Sequence, residues 1–403
     1  MPDDGSNLLT GPEIAPLLEA AVTHAGGRLV EWTLDQVDHS PEKFTTATYQ
    51  ARIVWAHGER VELLGVSMRA QGLEPSDSNA LIFEHGSRRA AVWLYPHDPD
   101  LPGLKRATFS TTMTEILREA GVLPPTVGPH QVQLSIVAYR PRRRAVVKVD
   151  VPDLKVTFYV KVLRERLFTD VLNKHVMLRS AGVPAPEVVA HTDDFLLVLR
   201  ALPGRPLAHA IFDDDAPCKA EQLIAILDAM PASVAKLERR PAWPDSVQHY
   251  ARLVGEPLPD VRGDLDRLVQ TIGSGLSGLP KGDEPTHGDF HEGQVHVGGG
   301  RILGVLDVDT IGPGRRADDL ACLIAHLATI NGMNAAQEAR VRALLAQWVP
   351  VFDRRVDPVE LRLRAAAVII SLATGPYRLQ EAGWQQQTHS MIQAATALVK
   401  QVT

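Results

Sequence analysis

The sequence predicts an α+β protein of three successive modules, and three features predict it. Residues 1–128 mix helix signals with short strands of period two. Residues 129–203 run as strand, strand, strand, helix, strand. Residues 204–403 read as mostly helical.

In the first module, Thr10-Gly-Pro-Glu13 has the pattern of a capping box, and Gly26-Gly27 stops the helix it opens. Strands are expected over Arg28–Leu34, Thr46–Trp55, Val61–Met68 and Ala90–Tyr95. In the second of these, Tyr49, Ala51, Ile53 and Trp55 share one face, and Gln50 and Arg52 the other. His57-Gly58 supplies a hairpin turn. Pro96 to Pro102 is rich in turn residues, and Phe109–Ala120 is expected as a helix ending at Gly121.

In the second module, Gln131–Arg140 and Ala145–Val151 are strands joined by the turn Pro141-Arg-Arg-Arg144. Thr157–Leu163 is a third strand, followed by a helix over Thr169–Ala181 that Gly182 and Pro184 end. Phe195–Leu199 is a further strand. In the third module, Asp357-Pro-Val-Glu360 marks a helix start and Gly375-Pro376 its stop.

Composition narrows the function classes. The 403 residues carry a net charge of −6, which argues against a dedicated nucleic-acid binder. The longest apolar run, Ala365 to Ala373, is too short for a membrane span. The polar, acidic N-terminus is unlike a secretory signal, and Cys218 and Cys322 stand far apart with no cluster around either. Two reduced thiols in a cytoplasmic, soluble protein are expected.

Chemistry concentrates in His287-Gly-Asp-Phe-His-Glu-Gly-Gln294 and Leu306-Asp-Val-Asp309. An acidic residue on a short loop, an amide five positions on and a carboxylate after an apolar strand can hold a hydroxyl and magnesium together at a nucleotide. The nearby histidines lack any metalloenzyme spacing, and oxygen ligands favour magnesium over zinc.

These two segments resemble the aminoglycoside phosphotransferase and choline kinase-like family, whose pattern is H-G-D-x-x-x-x-N followed by a strand ending in Asp. Gln294 stands where Asn is usual, as in the similar maltokinase subgroup, and still offers a carbonyl oxygen to a hard cation. The resemblance implies a protein-kinase-like two-lobed fold: an N-terminal α+β cap module at 1–128, a small nucleotide lobe at 129–203 and a large lobe at 204–403. It implies ATP and Mg²⁺ as cofactors and a small-molecule hydroxyl acceptor such as a sugar, amino sugar or aminoglycoside. By the same resemblance Asp289 is the base, and Gln294 and Asp307 hold the metal. Asp309 either binds a second metal or hydrogen-bonds the following turn, and a helix at Asp319-Leu-Ala321 packs beneath.

Lys161, alternating out of an apolar strand just before a helix, is placed to reach the phosphates, with Lys148 as its rival. The helix after it, read from Thr169, contains no Glu to pair with that lysine; Asp170, Asn173 and His175 stand there instead. No Gly-rich loop joins the first two strands. Arginines of the turn ending at Arg144 are candidates to neutralise phosphate oxygens. Adenine is expected on main-chain groups from Leu199 through Ala201. Tyr377-Arg378 to Trp384, which mixes aromatic, cationic and acidic groups, is expected either to meet the acceptor or to be an ordinary amphipathic connection. A strongly acidic pocket of the aminoglycoside type is not evident. The competing class is a catalytically weak nucleotide-binding pseudokinase or regulatory protein of the same fold. Nothing in the residues specifies the acceptor or the oligomeric state.

Overall fold

The computed structural model describes residues 4–85 and 88–402. The chain forms two compact units. One comprises the residues up to Thr169 with Val188–Ala201 and Tyr377–Glu381; the other comprises Asp170–Glu187, Leu202–Pro376 and the residues from Ala382.

The first unit opens with helices α1 (Ser6–Thr10) and α2 (Ala15–His24). The expected capping box does not form. Pro12 instead opens a 3-10 turn over Pro12–Ile14, which fixes the chain direction before α2, and Thr10 Oγ1 donates to Ser6 O at 2.8 Å. Gly26, at φ 85, ends the helix as expected, with Gly27 N–H donating to Val22 O.

Strands β1 (Arg28–Ser40), β2 (Phe44–Trp55), β3 (Gly58–Arg69), β4 (Leu81–His85) and β5 (Arg88–Leu94) form an antiparallel sheet of order β1-β2-β3-β5-β4. β1 runs well past Leu34. Irregularities after Leu29 and Leu34 shift its register and break the alternation that marks a strand in sequence. The β2–β3 turn is Ala56-His57, one residue earlier than expected, with Trp55 opposite Gly58. Tyr49, Ala51 and Ile53 are fully buried on the inner face and pack with Leu9, Ile14, Leu18 and Val22 of the helical layer.

Helices α3 (Leu104–Ala107) and α4 (Ser110–Glu119) follow. α4 does not join the first sheet. Met113, Ile116 and Leu117, on one helical face, share a core with Ala145, Val147, Val149, Phe158 and Val160 of a second antiparallel sheet. That sheet contains β6 (Gln133–Arg140), β7 (Arg144–Val151), β8 (Val156–Leu163), β9 (Val188–His191) and β10 (Leu196–Arg200), in the order β6-β7-β8-β10-β9. β4 and β9, both unanticipated, are short edge strands, where periodic signal is weakest.

Between β8 and β9 lies α5 (Glu165–Ser180), four residues longer at its start than expected. The helix therefore does contain a glutamate, Glu165, in its first turn. No cap residue or proline marks this start in the sequence, so apolar period alone placed it too late.

The second unit holds β11 (Arg205–Pro206), α6 (Leu207–Ala210), α7 (Ala220–Asp228), α8 (Val247–Gly255) and α9 (Arg262–Gly275). After them come β12 (Glu284–Thr286), β13 (Val295–Gly298), β14 (Arg301–Val305) and β15 (Gly312–Gly314). Helices α10 (Arg316–Ala328), α11 (Ala335–Phe352), α12 (Pro358–Leu372), α13 (Gly375–Arg378) and α14 (Trp384–Val399) complete the chain. α12 is buried on all sides and packs on α8, α9, α10 and α14. Asp357 caps it by accepting the Glu360 N–H at 2.8 Å. It ends at Leu372, and Gly375-Pro376 begins the single turn α13 rather than stopping α12. No helix among the described residues is long and apolar enough to cross a membrane.

Candidate active site

The loop between β12 and β13 carries Asp289, and its entry is fastened from α10. Asp319, fully buried, accepts the His287 N–H at 3.0 Å and the Gly288 N–H at 2.8 Å. Arg316, also buried, donates to the same carboxylate at 3.0 Å, to Asp228 and to Leu227 O. Burial raises the Asp319 carboxyl; Arg316, His287 and the two amides oppose that rise. His287 Nε2 donates to Leu306 O at 2.8 Å, and Thr310 Oγ1 donates to His287 O. The loop entry is thereby tied to both ends of the Leu306–Thr310 segment. Gly288 has φ 81, and a Cβ there would lie 2.6 Å from Thr310 O, so this position requires glycine.

Asp289 itself is half-buried, and Cys322 Sγ donates to its Oδ1 across 3.8 Å. Around it stand His291, Glu292 and His326. The rings of His291 and His326 stack at 4.1 Å, inclined by 5°. Burial first, then a neighbouring imidazole, lowers each: His287 helps bring His291 to about 4, and His291 helps bring His326 to about 3. Both are neutral at pH 7. Burial and the Asp289 charge push Glu292 up to about 7, and its Oε2 is buried without a hydrogen-bond partner. The Asp307 charge is felt at His291, and that of Asp289 at His326.

Gly293 N–H donates to His291 Nδ1 at 3.1 Å, so the neutral ring carries its proton on Nε2. The Gln294 side-chain amide lies 3.0 Å from that Nε2. Two donors cannot face one another, so the amide presents its oxygen, which keeps a second lone pair for another partner. Asp307 follows β14 in the left-handed conformation (φ 48, ψ 52) at the head of a 3-10 turn, Val308–Thr310. It is half-buried, whereas Asp309 is only 8% exposed. The Asp309 main-chain oxygen accepts from Lys174 Nζ at 2.8 Å; Lys174 also pairs with Asp170. α5 therefore presents a buried cation to this turn, from a position between the Asn173 and His175 singled out in the sequence.

In the first unit, Lys161 lies on β8 opposite Val146 and Leu197, on the face turned away from the α3–α4 core, yet it is only 8% exposed. Lys148 is paired with Asp150 at 2.6 Å. Leu199 sits inside the sheet between Tyr159 and Val188, and Ala201 N–H donates to Thr157 O. Arg144 pairs with Arg140 across the three-residue turn. The turn's other arginines meet carboxylates. Buried Arg142 binds Asp77 at 2.6 Å and Asp100 at 3.1 Å, and Arg143 binds Asp38 at 2.6 Å. Arg378, expected near the acceptor, lies by Asp38 and Arg143, and its charge, after burial, helps lower Arg140 to about 10.

Sequence reasoning missed the fastening role of Asp319, although the Asp-Leu-Ala motif was visible. It also missed Lys174, Glu292 and the Cys322/His326 pair. The four-residue spacing of that pair on a helix was the only local signal.

The phosphotransferase enzyme family (APH) matches residues 136–356, more than half of the chain. The chain belongs to this family. Its fold is accordingly α+β and protein-kinase-like, with an additional N-terminal sheet. Among solved structures, the apo form of a thermostable mutant of aminoglycoside phosphotransferase APH(4)-Ia is similar at 16% identity and TM-score 0.49, over 67% of this chain and 95% of that one. An ethanolamine kinase of Plasmodium vivax is similar at 13% identity and TM-score 0.44, over 69% and 87%. A choline kinase of Cryptosporidium parvum is similar at 10% identity and TM-score 0.47, over 72% and 96%. No curated protein matches the chain.

Proposed function

We propose that this phosphotransferase moves the γ-phosphate of ATP to a hydroxyl of a small molecule, with Asp289 as the base. The observation that carries the reading is the fastened loop. Asp319 and Arg316 fasten the loop entry and leave Asp289 half-exposed. Positioning of this kind is most of what phosphoryl transfer asks of a protein.

The donor set fits magnesium: a carboxylate at Asp307 and an amide oxygen at Gln294 are hard ligands. When bound, the ion neutralises charge on the triphosphate. Asp307 and Gln294 would hold it, with Asp309 as a further candidate. Lys161 would reach the phosphates and the end of β10, from Leu199 to Ala201, the adenine. Arg144 is the candidate of this turn for a phosphate oxygen, and Arg142 and Arg143 bind carboxylates. Asp289 accepts the acceptor's hydroxyl proton as transfer proceeds.

Groups beside the base favour a neutral, hydroxyl-rich acceptor such as a sugar over a polycation. They comprise two uncharged imidazoles, a thiol and Glu292, whose carboxyl is pushed up to about 7. Neutral imidazole both donates to and accepts from hydroxyls.

The test is ADP release across sugars, amino sugars, aminoglycosides and choline-like alcohols. Asp289→Asn should lower kcat by about 10²–10⁴-fold with ATP binding nearly intact. A wild-type protein whose thermal unfolding ignores ATP and magnesium would refute the reading. The engagement of Arg142 and Arg143 favours a second reading, a nucleotide-binding regulatory protein. Magnesium-dependent ATP binding without transfer to any acceptor would select it.

A further inference from the structure

We propose that Asp289, Cys322 and His326 form a site for a borderline-soft divalent cation of the Zn²⁺ class, and that an ion held there silences transfer by capturing the base. The binding half stands on geometry; the inhibitory half rests on the function proposed above.

One ligand atom from each residue lies within 4.8 Å of the other two. The Cys322 Sγ to Asp289 Oδ1 separation is 3.8 Å. Two ligands on a tetrahedral zinc ion, at its usual bond lengths, stand about 3.5 Å apart. Closure onto an ion thus needs shifts of a few tenths of an ångström between these two. Cys322 and His326 are four residues apart on α10, so they project from one helical face. The third ligand comes from the loop that Asp319 of the same helix fastens. A thiol and an imidazole beside a carboxylate suit zinc or cobalt and not magnesium.

The surroundings complete a metal site rather than a mere packing contact. His326 is neutral, the form that binds metals, and lies flat against His291. Glu292 also brings a carboxylate oxygen within 4.8 Å of a ring nitrogen of His326, and its Oε2 is buried without a partner.

On binding, Cys322 releases its thiol proton to solvent and becomes the thiolate ligand, while an Asp289 lone pair enters the coordination shell. The carboxylate can then no longer accept the acceptor's proton. Because burial pushes the Cys322 thiol up, apparent affinity should rise with pH.

The full-length chain titrated with Co²⁺ alone tests the site. Wild type and Cys218→Ser should show thiolate-to-cobalt charge-transfer absorption, and Cys322→Ser should not. Cys218 and Cys322 are the chain's two cysteines, so the assignment is unambiguous. His326→Gln should weaken binding about tenfold or more, and it carries the test should Cys322→Ser fail to fold. With excess Mg-ATP, Zn²⁺ should stop turnover of wild type, and Cys322→Ser should need about tenfold more. Absence of the band in wild type, its survival in Cys322→Ser, or equal zinc sensitivity of the two overturns the proposal. A wild-type band without transfer to any acceptor overturns the base assignment and the inhibitory half, and supports the site.

Discussion

Asp319→Asn isolates the fastening of the base loop. The native carboxylate accepts from His287 N–H, Gly288 N–H and Arg316; His287 and Arg316 are buried and Gly288 is half-buried. Asparagine keeps one oxygen and turns an NH₂ toward at least one of these donors. A main-chain N–H left without an acceptor costs about 1–3 kcal/mol. Arg316 keeps Asp228 at 3.2 Å, a half-exposed partner, but loses its buried counter-charge. Breaking a buried pair costs about 3–5 kcal/mol. The two losses share one carboxylate and do not add. Burial disfavours the charged Asp319, which a neutral amide relieves in part. The expected loss is therefore about 3–5 kcal/mol, a large share of a typical total of about 5–15 kcal/mol. Urea unfolding followed by circular dichroism reads it. Under conditions where the variant is folded, kcat should fall about 10²-fold as Asp289 shifts, with little change in the KM for ATP. A variant within about 0.5 kcal/mol of wild type and with unchanged kcat would show that the carboxylate is not what holds the loop.

Three other outcomes follow from the same coordinates. Gly288→Ala forces a side chain into the left-handed region against Thr310 O; it should cost about 1–3 kcal/mol and lower kcat, measured by thermal unfolding and steady-state kinetics. Arg142→Ala strips buried Asp77 of its counter-ion while Asp100 keeps Arg164 and Asp98 keeps the main-chain N–H of residue 142, and should destabilise the first unit by about 3–5 kcal/mol in urea; Asp77→Ala combined with it should be markedly less than additive. As pH falls below 6.5 the unfolded chain takes up protons that folded His291 and His326 refuse, so stability is lost, whereas Glu292, folded at about 7 against an ordinary 4.5, opposes this by holding a proton that the unfolded chain releases. Between pH 4.5 and 6.5 these three groups together should contribute a slope of about 1.4 kcal/mol per unit of pH, and Glu292→Gln should steepen the measured slope by about as much again; an unchanged slope in urea titrations would refute the assignment.

How far the fold was legible follows how locally each signal is written. β2 alternates from Tyr49 to Ile53 because it lies inside the first sheet with one face on the helical layer, where Tyr49, Ala51 and Ile53 are all buried. β1 faded after Leu34 because a bulge there moves every later side chain to the other face, which a period-two reading registers as an ending. α4 was found, but its partner was not. Its apolar stripe is equally at home on either sheet, and only tertiary packing assigns it to the second.

The site divides along the same line. Asp289, Gln294 and Asp307 could be proposed from sequence because they fall in two short segments, a loop and the end of a strand after it. The arginine turn shows the converse. Read alone, Pro141-Arg-Arg-Arg144 is a cluster of cations seeking an anion, and the sequence offered a phosphate. The structure supplies Asp38, Asp77, Asp98 and Asp100 from the chain before it, at positions no local window contains. Trp93 Nε1 donates to Tyr139 Oη, which donates in turn to Asp98, so the buried carboxylates belong to a connected network. The segments that follow β3 and β5 of the first sheet therefore set this turn's conformation, by charge pairing rather than by freedom of backbone. Arg142 sits at φ 60, a left-handed position that costs free energy for a non-glycine residue and persists because Asp77, Asp98 and Asp100 hold it there.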